Sequence, residues 1–291
     1  RAFTENQRKR KKGVVNNMAN KLKTLEYLNI PHSSFYYRRI LDQKDLILKE
    51  KIEKVLLKNP SYGHRRIAFE LEMNRKPVKR VMTKYDIRPR RNRKKPRKSK
   101  NGSQFEASPN LLASLYPLYK NHLWITDFTY LKWRGRWVYV CTVIDLFSRE
   151  VVGLSIKTCR GAILVSEALL NALAQNEIPV IIHSDQGVEY KSKLFRAIPA
   201  DFNILQSMSK KASPWQNGYQ ESFYGNWKVD IGDVNRFKNL GELTAAIYKS
   251  IYYYNHERIH TALKMPPRKF AEKFASEKEI KYNANQEKLT V

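Results

Sequence analysis

The sequence predicts an α/β core, a mixed sheet of five strands flanked by helices, preceded by all-α basic modules. Three observations predict it. From about residue 117 the chain turns to β-branched and aromatic runs interleaved with helical ones. Before that point its apolar residues recur at helical spacing. Between the two lies "RPRRNRKKPRKSK", residues 88–100, with nine basic residues, two prolines and no apolar side chain in thirteen positions. Such a stretch cannot bury a core and reads as an extended linker.

The first segment, 1–40, opens on the basic run "QRKRKKG". Leu22, Leu25 and Leu28 then recur at helical spacing, and "PHSS" breaks the helix and supplies a fresh N-cap. Two short helices around a turn can set a helix in a DNA groove; a basic arm that reads no groove explains the same residues. Residues 41–90 form a second helical unit. Leu48, Ile52, Val55 and Leu56 make one apolar stripe, "NPSYG" interrupts, and Ile67, Ala68 and Leu71 face inward on "HRRIAFELEMN". In "PVKRVMTKYDI", Val78, Val81, Met82 and Tyr85 face one way while Lys79, Arg80, Thr83 and Lys84 face the other. Three helices with a basic last one fit a helix-turn-helix DNA-binding domain. Its DNA-facing candidates are Arg65, Arg66, Lys79, Arg80, Lys84 and, at its end, Arg90, continued by Arg91 and Arg93 in the linker, 91–116, whose charge suits tracking along phosphates. A nuclear localisation signal has the same composition. Few contacts are expected to cross such a linker, so the core is expected to fold without residues 1–100.

The core, 117–235, begins with "LWITDFTYLKW", "WVYVCTVIDLF" and "EVVGLSIK", three antiparallel strands separated by "RGR" and "SR". "GAILVSEALLNALAQN" is a helix, "PVIIHSD" a short buried strand, "KSKLFRAI" a short helix, "NILQSMS" a strand, and "PWQNGYQESFYGNWK" a helix. The C-terminal segment, 236–291, is a long helix, "LGELTAAIYKSIYYYNHERIH", and a polar tail.

Charge narrows the function. The 291 residues carry 55 Lys and Arg against 27 Asp and Glu, a net charge of +28. That excess repels itself unless a polyanion neutralises it, and nucleic acid is the expected partner. No apolar run reaches the eighteen residues of a membrane span. Cys141 and Cys159 sit at no metal-finger spacing and read as buried free thiols of a reducing compartment. The sequence starts at Arg1 without a signal peptide, as a fragment or processed chain would.

In a chain short of acids, three fall at telling places: Asp127 inside the first strand, Asp185 at the end of the fourth, and Glu221 on the helix that follows the fifth. Functional groups of such sheets gather at strand ends beside crossing helices. Carboxylates brought together repel and resist ionisation until a cation joins them. Oxygen-only ligation favours Mg²⁺ or Mn²⁺, and two ions about 3.5–4 Å apart can activate an attacking oxygen and stabilise a leaving one at a phosphodiester. Taken singly, Asp127 reads as an edge residue and Asp185 as a turn residue. Asp145, expected to cap the turn after the second strand, and Glu189 rank below the three. Phe223, Trp227 and Ile231 form the buried stripe of the last core helix, which leaves Glu221 and Lys228 on another face.

"WITDFTYL", "HSDQGVEY" and "SMSKKASPWQNGYQESFYGNWK" closely resemble the catalytic signatures of DDE transposases of bacterial insertion sequences, whose core is ribonuclease-H-like and akin to retroviral integrase. Thirty-five residues separate Asp185 from Glu221, the spacing of that group. "YGHRRI" resembles its upstream helix-turn-helix segment, and "YYNHERIHTALKMPPRKF" its C-terminal signature; the likeness runs from about residue 20 to 275. The resemblance implies that Asp127, Asp185 and Glu221 hold two Mg²⁺ or Mn²⁺ ions. It implies double-stranded DNA as partner, both the terminal inverted repeats and a target, with strand cleavage followed by 3′-hydroxyl transfer. It further implies a homo-oligomer of at least two protomers on paired ends, a circular intermediate, and a bacterial cytoplasmic setting without a membrane role. Lys228 stands where the family often has a basic residue, and Lys210 and Lys211, before the helix, are expected to face DNA. Asn217 and Gly218 suggest an approach that orders with substrate. The retroviral His/Cys zinc module is absent, and Gln186 stands where the family often has Arg. A tyrosine recombinase does not fit the strand-rich core. An inactive DNA-binding regulator and a hydrolysis-only nuclease remain the alternatives.

Overall fold

The computed structural model describes residues 21–27, 40–91, 117–209 and 218–274. The chain divides into two units, residues 1–51 and 52–291. Of the first, the structure describes helix α1 (Lys21–Tyr27), whose Leu25 is buried, and the start of α2 (Ile40–Lys58). Arg93, Lys210, Lys211, Asn217 and most of the basic linker lie outside the described residues.

The second unit carries α3 (His64–Glu70) and α4 (Arg75–Lys84), then the sheet. The Asn74 side chain caps α4 by accepting from Lys76 N at 3.0 Å, and Val78, Val81 and Met82 turn inward as their spacing predicts. Strands β1 (Leu123–Trp133), β2 (Arg136–Asp145) and β3 (Val151–Lys157) form an antiparallel meander. "RGR" makes the first corner: Arg134 and Gly135 both take positive φ, 45° and 79°, as a two-residue hairpin turn requires. Helix α5 (Ala162–Leu173) leads to β4 (Ile181–Ser184), and α6 (Lys193–Asp201) leads to β5 (Leu205–Met208). Both later strands run parallel to β1, giving the order β3-β2-β1-β4-β5. Helices α7 (Gly218–Ile231) and α8 (Leu240–His256) follow.

Strand alternation sorts side chains onto two faces. Leu123, Ile125, Leu131 and Trp133 of β1 join Phe223, Trp227 and Ile231 of α7 and Leu243, Ile247 and Ile251 of α8 in one core. Trp124 joins Cys141, Val143, Leu164, Val165 and Phe195 in the other, under α5 and α6. A Cβ at Gly153 of β3 would overlap the Ala168 carbonyl oxygen of α5, so the closeness of that helix depends on glycine.

The expectation that few contacts bridge the two sides of the basic linker does not hold in this unit. Asp230 of α7 accepts from Ser61 N and Oγ at 3.2 and 3.1 Å and from Arg258 Nε at 2.8 Å. Arg258, 5% exposed, also donates to Ser61 Oγ at 2.9 Å, and Ile259 N donates to the Tyr62 hydroxyl at 2.7 Å. The "PSYG" break thus locks onto "NHERIH". A buried guanidinium needs such a carboxylate, and α7 supplies it.

Candidate active site

The parallel β1–β4 pairing brings the first two acids to one pocket. Trp124 pairs with Ile182 and Ile125 with His183 across the parallel β1–β4 ladder. Two residues further along each chain stand Asp127, within β1, and Asp185, one residue past the end of β4. Asp127 and Asp185 line an open pocket of about 420 Å³ with Tyr130, Trp137, Tyr139 and Arg160. Burial, then the neighbouring Asp185 carboxylate, push the Asp127 pKa up to about 8. A hydrogen bond from Phe128 N at 2.8 Å works against this, as does Lys228, while Glu221 adds to it. The Asp185 carboxyl is also raised, by burial first, although Gly187 N donates to its Oδ1 at 2.8 Å.

Glu221 lies in the first turn of α7, exposed, and raises the Asp127 pKa less than Asp185 does. Among the described residues, no three Asp, Glu, His or Cys side chains yet approach closely enough to enclose an ion. Two buried side chains fasten this turn to the sheet. Gln220 Nε2 donates to the Ile125 and Thr142 carbonyls at 3.1 and 3.3 Å. The Tyr224 hydroxyl donates to the Asp127 carbonyl at 2.6 Å, with Thr142 Oγ1 at 2.8 Å from it. Neither was singled out from the sequence. Extending the stripe of Phe223, Trp227 and Ile231 back one turn reaches Gln220, a polar residue on a buried face and hence one that needs partners.

Lys228 Nζ donates to the Tyr130 carbonyl at 2.7 Å and lies 5.2 Å from the centre of the Tyr130 ring, at the pocket rim. Gln186, in the position that departs from the family pattern, donates to the Ser209 carbonyl at 3.1 Å and so ties the ends of β4 and β5. The two lower-ranked acids have partners of their own. Asp145 Oδ1 accepts from Ser148 N and Oγ, both at 2.7 Å, and Oδ2 from Asn121 N at 2.8 Å, which holds the turn after β2. Glu189 is buried and pairs with Arg160 at 3.1 Å. His183 is a core residue whose pKa burial pushes down to about 4, so it is neutral. Of the basic candidates, Arg65, Lys79, Arg80, Lys84, Arg90 and Arg91 are exposed on the helical segment and its exit, while Arg66 is half-buried.

The chain is similar to known proteins. Residues 118–214 match one integrase core domain family and residues 203–267 a second. The chain is 33% identical over 253 residues to the putative transposase InsK for insertion sequence element IS150 of Escherichia coli (strain K12), covering 82% of this chain and 89% of that protein. It is 30% identical over 240 residues to the transposase for insertion sequence element IS904 of Lactococcus lactis subsp. lactis (strain IL1403), covering 79% and 95%. Among solved structures, the HTLV-2 integrase catalytic core domain in complex with magnesium overlays with a TM-score of 0.46 at 21% identity, over 54% of this chain and 99% of that one.

Proposed function

The chain belongs to the insertion-sequence transposases that carry an integrase core domain, and from that premise we propose that it cuts DNA at the ends of a mobile element and joins the freed 3′-hydroxyl to a second phosphodiester. The observation that carries this reading is that Asp127 and Asp185 line one open pocket, with Glu221 on the first turn of α7, next to Gln220, which is bonded to β1. The donor set fits a hard divalent cation: it is all carboxylate oxygen, and burial with the neighbouring Asp185 carboxylate pushes the Asp127 pKa up to about 8, a cost that a bound cation would offset. Asp127 and Asp185 would hold the ion, with Glu221 completing the set. Mg²⁺ or Mn²⁺, as two ions, would supply charge at the attacking and leaving oxygens.

The chain's own groups do the rest. Tyr224 and Gln220 hold α7 against β1, and Glu221 stands on that turn. Lys228 presents an ammonium at the rim, where a bound phosphate would sit. Water attacks in the cleavage step and the 3′-hydroxyl in the joining step, with no covalent protein–DNA intermediate. The basic modules before the core, including the α3–α4 pair, bind the terminal inverted repeats, and at least two protomers assemble on paired ends. Joining of one end to the other then gives a circular intermediate.

The test supplies duplexes of the element's ends bearing a labelled 3′-hydroxyl, a plasmid target and Mg²⁺. Label joined to the plasmid, and its loss in EDTA, is the expected result. Nicking without joined label would reduce the reading to a hydrolysis-only nuclease, and binding with neither would leave an inactive regulator.

A further inference from the structure

Helix α7 has three faces. At about 100° per residue, Phe223, Trp227 and Ile231 fall together in the core, and Glu221 and Lys228 share a second edge, from which Lys228 reaches the Tyr130 carbonyl. The third face is Ser222, Gly225, Asn226 and Val229, small and uncharged, and it forms one wall of a second cleft, about 480 Å³. Arg65 and Arg66 of α3 and Arg90 and Arg91 beyond α4 line the same cleft.

This wall of arginines is built and held. Arg90 N donates to the Pro60 carbonyl at 2.9 Å. Arg66 Nη2 donates to the Ser61 carbonyl at 2.9 Å and reaches Asn226 Oδ1 at 3.5 Å, with its guanidinium 4.8 Å from the centre of the Tyr62 ring. Burial and nearby Arg258 push the Arg66 pKa down to about 10. Among the described residues, none of these four arginines has a carboxylate partner, although acids pair with Arg88 and Arg258 close by. The Ser61–Asp230–Arg258 network clamps the arginine-bearing segment to α7, so the cleft exists before any ligand enters.

We propose that this cleft holds the sugar–phosphate backbone of one strand of duplex DNA, without regard to sequence, and leads it along α7 past Ser222 to Glu221. The proposal rests on the transposase reading above. Guanidinium forks match phosphate oxygens, and four of them on segments far apart in sequence match a run of phosphates better than a single one. Gly225 leaves the floor open: a Cβ there would meet nothing within 4 Å. A free phosphate shares this chemistry, and the test separates the two.

Because Gly225 has space, it can take a charge without disturbing packing. The measurement is the affinity of the full chain for a random-sequence duplex, in EDTA, across a range of salt. Working in EDTA matters because position 225 is one turn from Glu221. Gly225→Ala should leave affinity unchanged. Gly225→Glu should lower the slope of log affinity against log salt by about one unit and Gly225→Lys should raise it by about one. Arg90→Gln with Arg91→Gln, both exposed, should lower it by about two. Unchanged slopes in the charged variants would overturn the proposal. So would a shift in binding of inorganic phosphate with none in binding of the duplex, which would make this a free-phosphate site. The two readings fail separately. If Asp127→Asn still joined DNA, the carboxylate mechanism would fall while the cleft stood. If Asp127→Asn abolished joining and the Gly225 variants bound alike, the cleft would fall alone.

Discussion

Replacing Asp127 by Asn should stabilise the metal-free protein. The folded protein holds this carboxyl at a pKa of about 8, against about 3.9 in an unfolded chain. Between those values the folded state keeps a proton that the unfolded state has released. Stability therefore falls as pH rises from about 4 to about 8, then levels off. Linkage from these two values sets a ceiling of about 4 kcal/mol at pH 7. Asn keeps the side chain's shape and an oxygen to accept from Phe128 N, and it has no charge to bury. At roughly 2–4 °C per kcal/mol for a unit of this size, Asp127→Asn should raise the melting temperature in EDTA at pH 7–8 by several degrees, about 15 °C at most. The gain should shrink toward zero near pH 4. Mg²⁺ added at pH 8 should raise the melting temperature of the wild type and leave the variant's unchanged. Differential scanning fluorimetry across pH, with EDTA or Mg²⁺, reads all three effects. A gain independent of pH, or an equal response to Mg²⁺ in both proteins, would refute the picture of a half-buried carboxylate that a cation stabilises.

Other perturbations follow from single contacts. Tyr224→Phe removes the donor to the Asp127 carbonyl and should cost about 1–3 kcal/mol in urea unfolding, with joining reduced further than binding. Gly187→Ala would set a Cβ 2.9 Å from Asp185 Oδ1; joining should fall while affinity for DNA holds, and a fully active variant would show that the loop gives way freely. Lys228→Ala should slow joining more than it weakens binding, since the ammonium stands at the pocket rim and small positioning errors near reacting groups cost on the order of a hundredfold. Asp230→Ala strands the buried Arg258 guanidinium and should cost about 3–5 kcal/mol by chemical denaturation. For the same reason a core lacking residues 1–100 should unfold at lower urea than the full chain, because Asp230 and Arg258 lose Ser61.

Local features of the sequence were legible, and long-range polar ones were not. The meander β1–β3 and the turn at Gly135 follow from alternation and turn chemistry within a few residues. The burial of Phe223, Trp227 and Ile231 follows from one helical period. That β4 inserts beside β1 rather than at an outer edge, so that Asp127 and Asp185 line one pocket, is set by packing under α5 and α6; the family signature supplied the pairing where physical pattern could not. Arg258 lay within that signature without a stated role, and its partners Ser61 and Asp230 are distant in sequence. Such contacts leave no periodic trace. Arg66 was read as a DNA-facing charge, and it is also half enclosed by Ser61, Tyr62 and Asn226, a setting that only the fold creates.

Strand transfer by Asp127→Asn, Asp185→Asn and Glu221→Gln, each scored beside its affinity for the same DNA, tests the central claim most directly. The substrate is a duplex end with its 3′-hydroxyl already exposed, so that cleavage cannot limit the result, and the cation is Mg²⁺. Each variant keeps the shape of its side chain and loses one charge. The account predicts that all three bind the duplex as the wild type does and that none joins it to a target. Joining at the wild-type rate by any one of them would contradict the claim that these three carboxylates together hold the ions that drive the reaction.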